Sequence, residues 1–228
     1  MVAKRNGFQK VYDLAERELP LTVNTTLPTS KEYAGYLITN AIRANGIVEQ
    51  NEIGYLQKKL KGDISKVIKK MLTDGDLISI EIAEQKNKMY LSTPAIIKNI
   101  TATNEKKIHV LSPFDNFLIQ RKRIRQLFDF DYKIECYVPE SKRKYGYFCL
   151  PVLCSNIFVA RFDSKADRAN KTFYIKHMHF EKNFKPKPEF NTIFADKLKA
   201  FATFNGCSKI VIDKAVSSWK KEMKSILK

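Results

Sequence analysis

The stretch Val110–Arg168, VLSPFDNFLIQRKRIRQLFDFDYKIECYVPESKRKYGYFCLPVLCSNIFVARFDSKADR, constrains the fold more than any other part of the chain. It is too apolar and too aromatic to be a linker. Short β-type runs, KIECYV, YGYFCLPVL and IFVARFD, recur between the polar segments PESKRK and CSN. Strands of that length and spacing predict a small antiparallel β-barrel or curled sheet. The cations of this region fall into two groups. Arg121, Lys122, Arg123 and Arg125 form one run, and Lys142, Arg143 and Lys144 sit at a predicted hairpin tip beside Tyr145 and Tyr147. Either group alone reads as a solvated rim. Two such groups interleaved with aromatic rings in one small domain suit a nucleic acid, whose phosphates take the cations and whose bases stack on the rings.

The chain before this region has a different pattern. After an extended entry and a helical turn near Val11–Arg17, Thr29 or Ser30 begins a helix that Gly46 ends, with Glu32 supporting its first turn. Tyr33, Tyr36, Leu37, Ala41 and Ile42 recur along it at helical spacing. A shorter helix over Asn51–Lys59 would bury Ile53, Leu56 and Leu60, and a third, capped by Asp63 and closed by Gly75, would bury Val67, Ile68, Met71 and Leu72. Two alternating strands then flank the polar turn EQKNK. Three helices followed by a hairpin is the order of a winged helix, which makes 63–74 the recognition helix and 84–88 the wing tip. Lys66, Lys69, Lys70, Lys86 and Lys88 lie on those two elements and are the DNA-facing candidates there. No Arg or Asn opens the recognition helix to read base edges, so the pattern predicts contact with the DNA backbone rather than sequence readout.

The fold class is therefore α+β: a winged-helix domain with an N-terminal extension over 1–104, then a β-barrel domain with C-terminal helices over 105–228. Pro186 and Pro188 predict an extended segment, followed by a helix over Asn191–Asn205 with Phe194, Leu198, Phe201 and Phe204 along one side. A short strand, KIVID, and a last helix carrying Trp219 complete the chain.

Composition sharpens the choice of partner. Lys+Arg 41 against Asp+Glu 24 leaves +17, a surplus that attracts polyanions. No apolar run approaches the roughly 18–20 residues of a membrane span, and the first twenty residues lack the apolar core of a secretory signal. A cytoplasmic, nucleoid-associated protein without membrane contact is expected. Cys136, Cys149, Cys154 and Cys207 form no C-x-x-C pair, and His177 and His179 read as an ordinary strand pair, so neither a metal nor any other cofactor is expected. No glycine-rich phosphate loop, G-x-S-x-G or H-E-x-x-H is present. Among the carboxylates, Asp115 is expected to cap the helix starting at Asn116 or to pair with Arg121 or Arg123, and Asp163 to pair with Arg168.

SPFDN, the RKR run, FDFDYKIECYVPESKRKYGYFCLPVL and RFDSKADR together resemble the C-terminal barrel of the YcaQ/AlkZ-type DNA glycosylases, winged-helix proteins of bacterial interstrand-crosslink repair. GFQKVYDLAERELP is similar to a phrase that in this family follows the N-terminal catalytic part. The resemblance implies duplex DNA, damaged or not, as partner, with Arg121–Arg125 and Lys142–Tyr147, Tyr145 among them, as barrel contacts. It also implies a Gln–apolar–Gln or Gln–apolar–Asp catalytic motif, and no glutamine here is followed by that pattern. No catalytic residue carries over. Three readings stay open: a DNA-binding module, a glycosylase in its own right with Asp115 as water activator, and an interaction module that pairs with a separate catalytic part.

Overall fold

Gly7, at φ +60°, turns the chain between two short antiparallel strands, β1 (Val2–Asn6) and β2 (Gln9–Tyr12), which lead into α1 (Ala15–Glu18). The computed structural model describes residues 1–227 apart from 56, 84, 86, 87 and 102–105. The entry segment is thus a hairpin and a single helical turn. Most of its apolar side chains stay exposed: Phe8, Leu21 and Leu27 are 103%, 102% and 90% exposed, while Val11 and Leu19 are half-buried.

Thr29 starts α2 (Ser30–Asn45) with a reciprocal cap, in which Glu32 N–H donates to Thr29 Oγ1 at 3.3 Å and Thr29 N–H donates to Glu32 Oε2 at 2.8 Å. The buried stripe of this helix is Ala34, Ile38 and Ile42, whereas Tyr36, expected inside, is 60% exposed. The second predicted helix is shorter than expected: α3 (Gln50–Ile53), then a 3-10 turn at Lys58–Leu60. Next, α4 (Lys61–Thr73) begins two residues before Asp63, which therefore occupies the first turn and caps nothing. Ile64 and Ile68 form its buried stripe, Val67, Met71 and Leu72 are half-buried, and Gly75 leaves the helix at φ +81°. The strands β3 (Ile78–Ile80) and β4 (Tyr90–Ser92) pair antiparallel, and Ser92 Oγ donates to the Gly46 carbonyl at 2.7 Å. These elements form one compact unit, Met1–Ile80 with Met89–Pro94. Leu56, Glu84 and Lys86, and the position 104 boundary, lie outside the described residues.

The second unit comprises Glu81–Lys88 and Ala95–Lys228. After α5 (Pro94–Lys98) come β5 (Ile108–Val110), α6 (Asn116–Ile119), α7 (Arg121–Phe128), β6 (Cys149–Cys154), β7 (Ile157–Asp167), β8 (Thr172–Phe180), α8 (Pro188–Phe204), β9 (Lys209–Lys214) and α9 (Ser217–Ile226). One five-stranded sheet runs in the order β5-β6-β7-β8-β9, antiparallel except that β9 lies parallel to β8. Among the described residues this sheet does not close, so the predicted antiparallel barrel is corrected to an open mixed sheet. Two causes are visible. Residues 133–138, which alternate like a strand, form no strand, because their polar positions serve a loop. A parallel last pair also requires a crossover, which α8 provides by packing on the sheet. Phe194, Ala195, Leu198 and Ala202 of α8 join Val152, Phe162, Phe173 and Ile175 in the main core. Pro188 stands at the first position of α8 instead of prolonging an extended segment, as its fixed φ and missing N–H allow, and Phe204 is 86% exposed. Under this layer Trp219 of α9 is buried, and its Nε1 donates to Asn191 Oδ1 at 2.8 Å. A smaller core of Leu118, Ile124, Phe130, Tyr132 and Phe158 lies beneath α6 and α7.

Candidate nucleic-acid interface

Residues 133–148 are organised around two carboxylates. Glu135, buried, accepts the backbone N–H groups of Lys144, Tyr145 and Gly146 at 3.1, 2.8 and 3.2 Å. Asp163 of β7 accepts the next two, Tyr147 and Phe148, at 3.0 Å each. Five successive N–H donors are thus satisfied by charged acceptors, which are stronger partners than carbonyls. Burial alone would raise the Glu135 carboxyl, but the three N–H bonds and the nearby Arg161 guanidinium outweigh it and hold the group below its ordinary value. Gly146 makes the turn between the two clamps at φ +139°, and a Cβ there would lie 2.5 Å from the Asp163 side chain. The expected hairpin tip is therefore a clamped loop, with a 3-10 turn at Glu140–Lys142. Asp163 does not pair with Arg168, whose guanidinium instead reaches Asn205 at 3.5 Å.

The clamp presents cations and rings together. Arg143 Nε donates to the Val138 carbonyl at 2.8 Å, and its guanidinium carbon lies 4.9 Å from the centre of the Tyr147 ring. Lys144 Nζ lies 5.0 Å from the Tyr145 ring centre, and contact with that residue holds its ammonium above the ordinary lysine value. Lys142 and Lys144 are exposed, as are Tyr147 and the neighbouring Tyr137. Tyr145 is half-buried: its ring covers the guanidinium of Arg161 at 4.2 Å, and Phe130 covers that guanidinium from a second ring at 4.3 Å. Arg161 is 3% exposed and donates to Glu181 Oε1 at 2.8 Å and to the Asp131 carbonyl at 3.0 Å. His179 meets the Tyr145 ring edge-on at 5.2 Å and His177 at 3.7 Å between ring centres. Burial pushes the imidazole of both histidines below the usual value. Among the described residues no group of three or more side chains is placed to hold a metal.

The arginine run divides. It is one helix, α7, whose turn carries the four side chains to more than one face. Arg121, Lys122 and Arg125 reach solvent, but Arg123 turns inward beside Ile124 and is 5% exposed, which removes it as a surface contact. Arg125 pairs with Asp131, and that bond keeps the aspartate below its ordinary value. Asp115 caps α6 by accepting Phe117 N–H at 2.9 Å, one of the two roles expected for it.

In the first unit, Lys66, Lys69 and Lys70 are exposed on α4, and Lys70 pairs with Asp74 at 3.2 Å. Lys88 groups with the second unit, half-buried, its Nζ 3.4 Å from Gln85 Oε1. Lys86 lies outside the described residues. Sequence reasoning singled out Glu135 among the carboxylates but gave it no role, and it missed Arg161 and the clamping role of Asp163. A carboxylate between Ile134 and Cys136 in an otherwise apolar run was the available signal, since a buried charge needs several donors.

No helix of the described residues is long and apolar enough to cross a membrane. The sequence matches the family described as DNA glycosylase AlkZ-like over residues 1–204, a span that takes in α4, the clamped basic loop and the whole of α8. The chain belongs to the AlkZ-like DNA glycosylase family.

Proposed function

We propose that this chain binds duplex DNA, including damaged duplex, through its phosphates rather than its base edges. The observation that carries the reading is the clamped loop, where exposed Lys142 and Lys144 and half-buried Arg143 stand beside Tyr137, Tyr145 and Tyr147 on a backbone held at 144–148 by Glu135 and Asp163. The exposed cations of α7 add to this surface. We read the first unit as a winged helix, α4 being the helix that meets DNA and Lys66 and Lys69 its contacts. The two folding domains on this reading divide near position 104, and the protein works at the nucleoid. No residue is assigned to glycosidic-bond cleavage, because the Gln–apolar–Gln or Gln–apolar–Asp pattern is missing from the sequence. Titrating labelled duplex at increasing salt tests the reading. The affinity should fall by about 0.9 log unit per log unit of salt for each phosphate contacted. A duplex that stays unbound by micromolar protein at low salt would sink it.

One further observation supports a second role. Phe8, Leu14, Leu21 and Leu27 of the entry segment are exposed among the described residues. Such a set suits docking to an apolar face of a separate catalytic part. Phe8→Ser with Leu21→Ser should then abolish co-purification with that part and leave DNA affinity unchanged.

A further inference from the structure

A cavity of about 1170 Å³ opens in the second unit, bounded by the β6–β7 turn, the loop after β8 and the start of α8. Its floor is aromatic. Phe130 and Phe158 stack there at 4.1 Å between ring centres, and Phe128, Phe184 and Phe190 extend the apolar surface. Ile157, 61% exposed, stands at its edge.

The charges around it are uneven. Its carboxylates Glu181 and Glu189 are already in ion pairs, with Arg161 and Lys106. Lys182, Lys185 and Lys187 are exposed and have no ion-pair partner among the described residues, against a single unpaired carboxylate, Asp129. Pro186 and Pro188 stiffen the segment that carries two of these lysines. An amphiphile with one anionic head would use one cation. Three, two of them on a stiff segment, suit a chain of phosphates.

The cavity also adjoins the clamped loop. Phe130 lines the cavity, Tyr145 belongs to the loop, and the guanidinium of Arg161 lies between their rings, so one sandwiched side chain separates the two surfaces. We propose that the cavity receives unpaired nucleotides of the DNA strand held by that loop, with bases against Phe128, Phe184 and Ile157 and phosphates on the three lysines. The inference rests on the DNA-binding reading and names its substrate class: DNA with locally unpaired nucleotides.

The test compares a fully paired duplex with the same duplex carrying a short central bulge of unpaired thymidines, by fluorescence anisotropy on the whole chain. The wild type should bind the bulged form about tenfold more tightly, the scale of one stacked base. Ile157→Asp, a substitution at an exposed position, should abolish that preference and leave paired-duplex affinity within about twofold, the scatter of a surface change. Replacing Lys182, Lys185 and Lys187 by alanine should lower the salt slope for the bulged form by about 0.7 per lysine that touches a single-strand phosphate. Equal binding of the two DNAs by the wild type overturns this inference and leaves the duplex reading standing, whereas failure to bind either overturns the reading itself. A fatty-acid probe that fills the cavity, is lost in Ile157→Asp and is not displaced by bulged DNA would also overturn it.

Discussion

Glu135 shows how much of this surface hangs on one side chain. Removing its charge in Glu135→Gln leaves three backbone donors with a neutral amide, and losing charge-assisted bonds at a buried site costs about 1.5–3 kcal/mol. Thermal unfolding should register that loss, and DNA affinity should fall with it as the cations of the loop lose their fixed positions. Gly146→Ala should be at least as damaging. It combines an unfavourable φ with a Cβ driven into the carboxylate that holds Tyr147 and Phe148, a strain of about 1–3 kcal/mol before any repacking. The histidines set a pH dependence. Their folded values lie below the unfolded value of about 6.5, so the unfolded chain binds more protons in between. Stability from this pair is complete above that value and is lost as pH falls through the folded ones. Glu135, also depressed, adds a second loss further down in the carboxylate range. Chemical denaturation across pH 5 to 8 should show the first decline, and His177→Gln with His179→Gln should flatten it. None of this was legible residue by residue. The partners of Glu135 are main-chain groups about ten positions away, and a main-chain donor leaves no mark in a sequence.

At the level of elements, legibility follows how local the determining contacts are. Thr29 and Glu32 state the start of α2 outright, because a reciprocal cap involves only residues within one turn. The hairpin of β3 and β4 was equally plain from its alternation. The 133–138 run alternates just as well yet pairs with nothing, since alternation reports which side chains are buried and says nothing of whether a neighbouring strand is present. KIVID reads the same whether it joins a sheet parallel or antiparallel, and only the packing of α8 against the sheet decides the direction of β9. The helices make a matched pair for testing charge. Arg121→Ala with Lys122→Ala on α7 should reduce the salt slope of duplex binding by about 0.9 for each side chain that touches a phosphate. Lys66→Ala with Lys69→Ala on α4 should do likewise. All four side chains are exposed, so the melting temperature should hardly move in either double variant.

Across the whole molecule the surplus of +17 is the broadest signal, and it located the class of partner without locating the surfaces. The fold makes the difference. Among the cations of the loop and α7, Arg123 is buried, Arg125 is engaged with Asp131 and Arg143 is bonded to the Val138 carbonyl, while Lys142 is exposed and Lys144, exposed beside Tyr145, sits on the locked backbone. Arg161, the most buried cation of the surface region, is spent on structure, joining two rings and two oxygens.

The sequence contains a single tryptophan, and it lies in the closing helix of the second unit, shielded from water and bonded to Asn191. Intrinsic emission excited at the indole band is therefore an optical gauge of that unit alone and is silent about the helical one. A denaturant titration followed by fluorescence and by far-ultraviolet dichroism should give superimposable curves if the two units melt as one cooperative block. Curves that separate would give each unit its own midpoint from a single unlabelled sample.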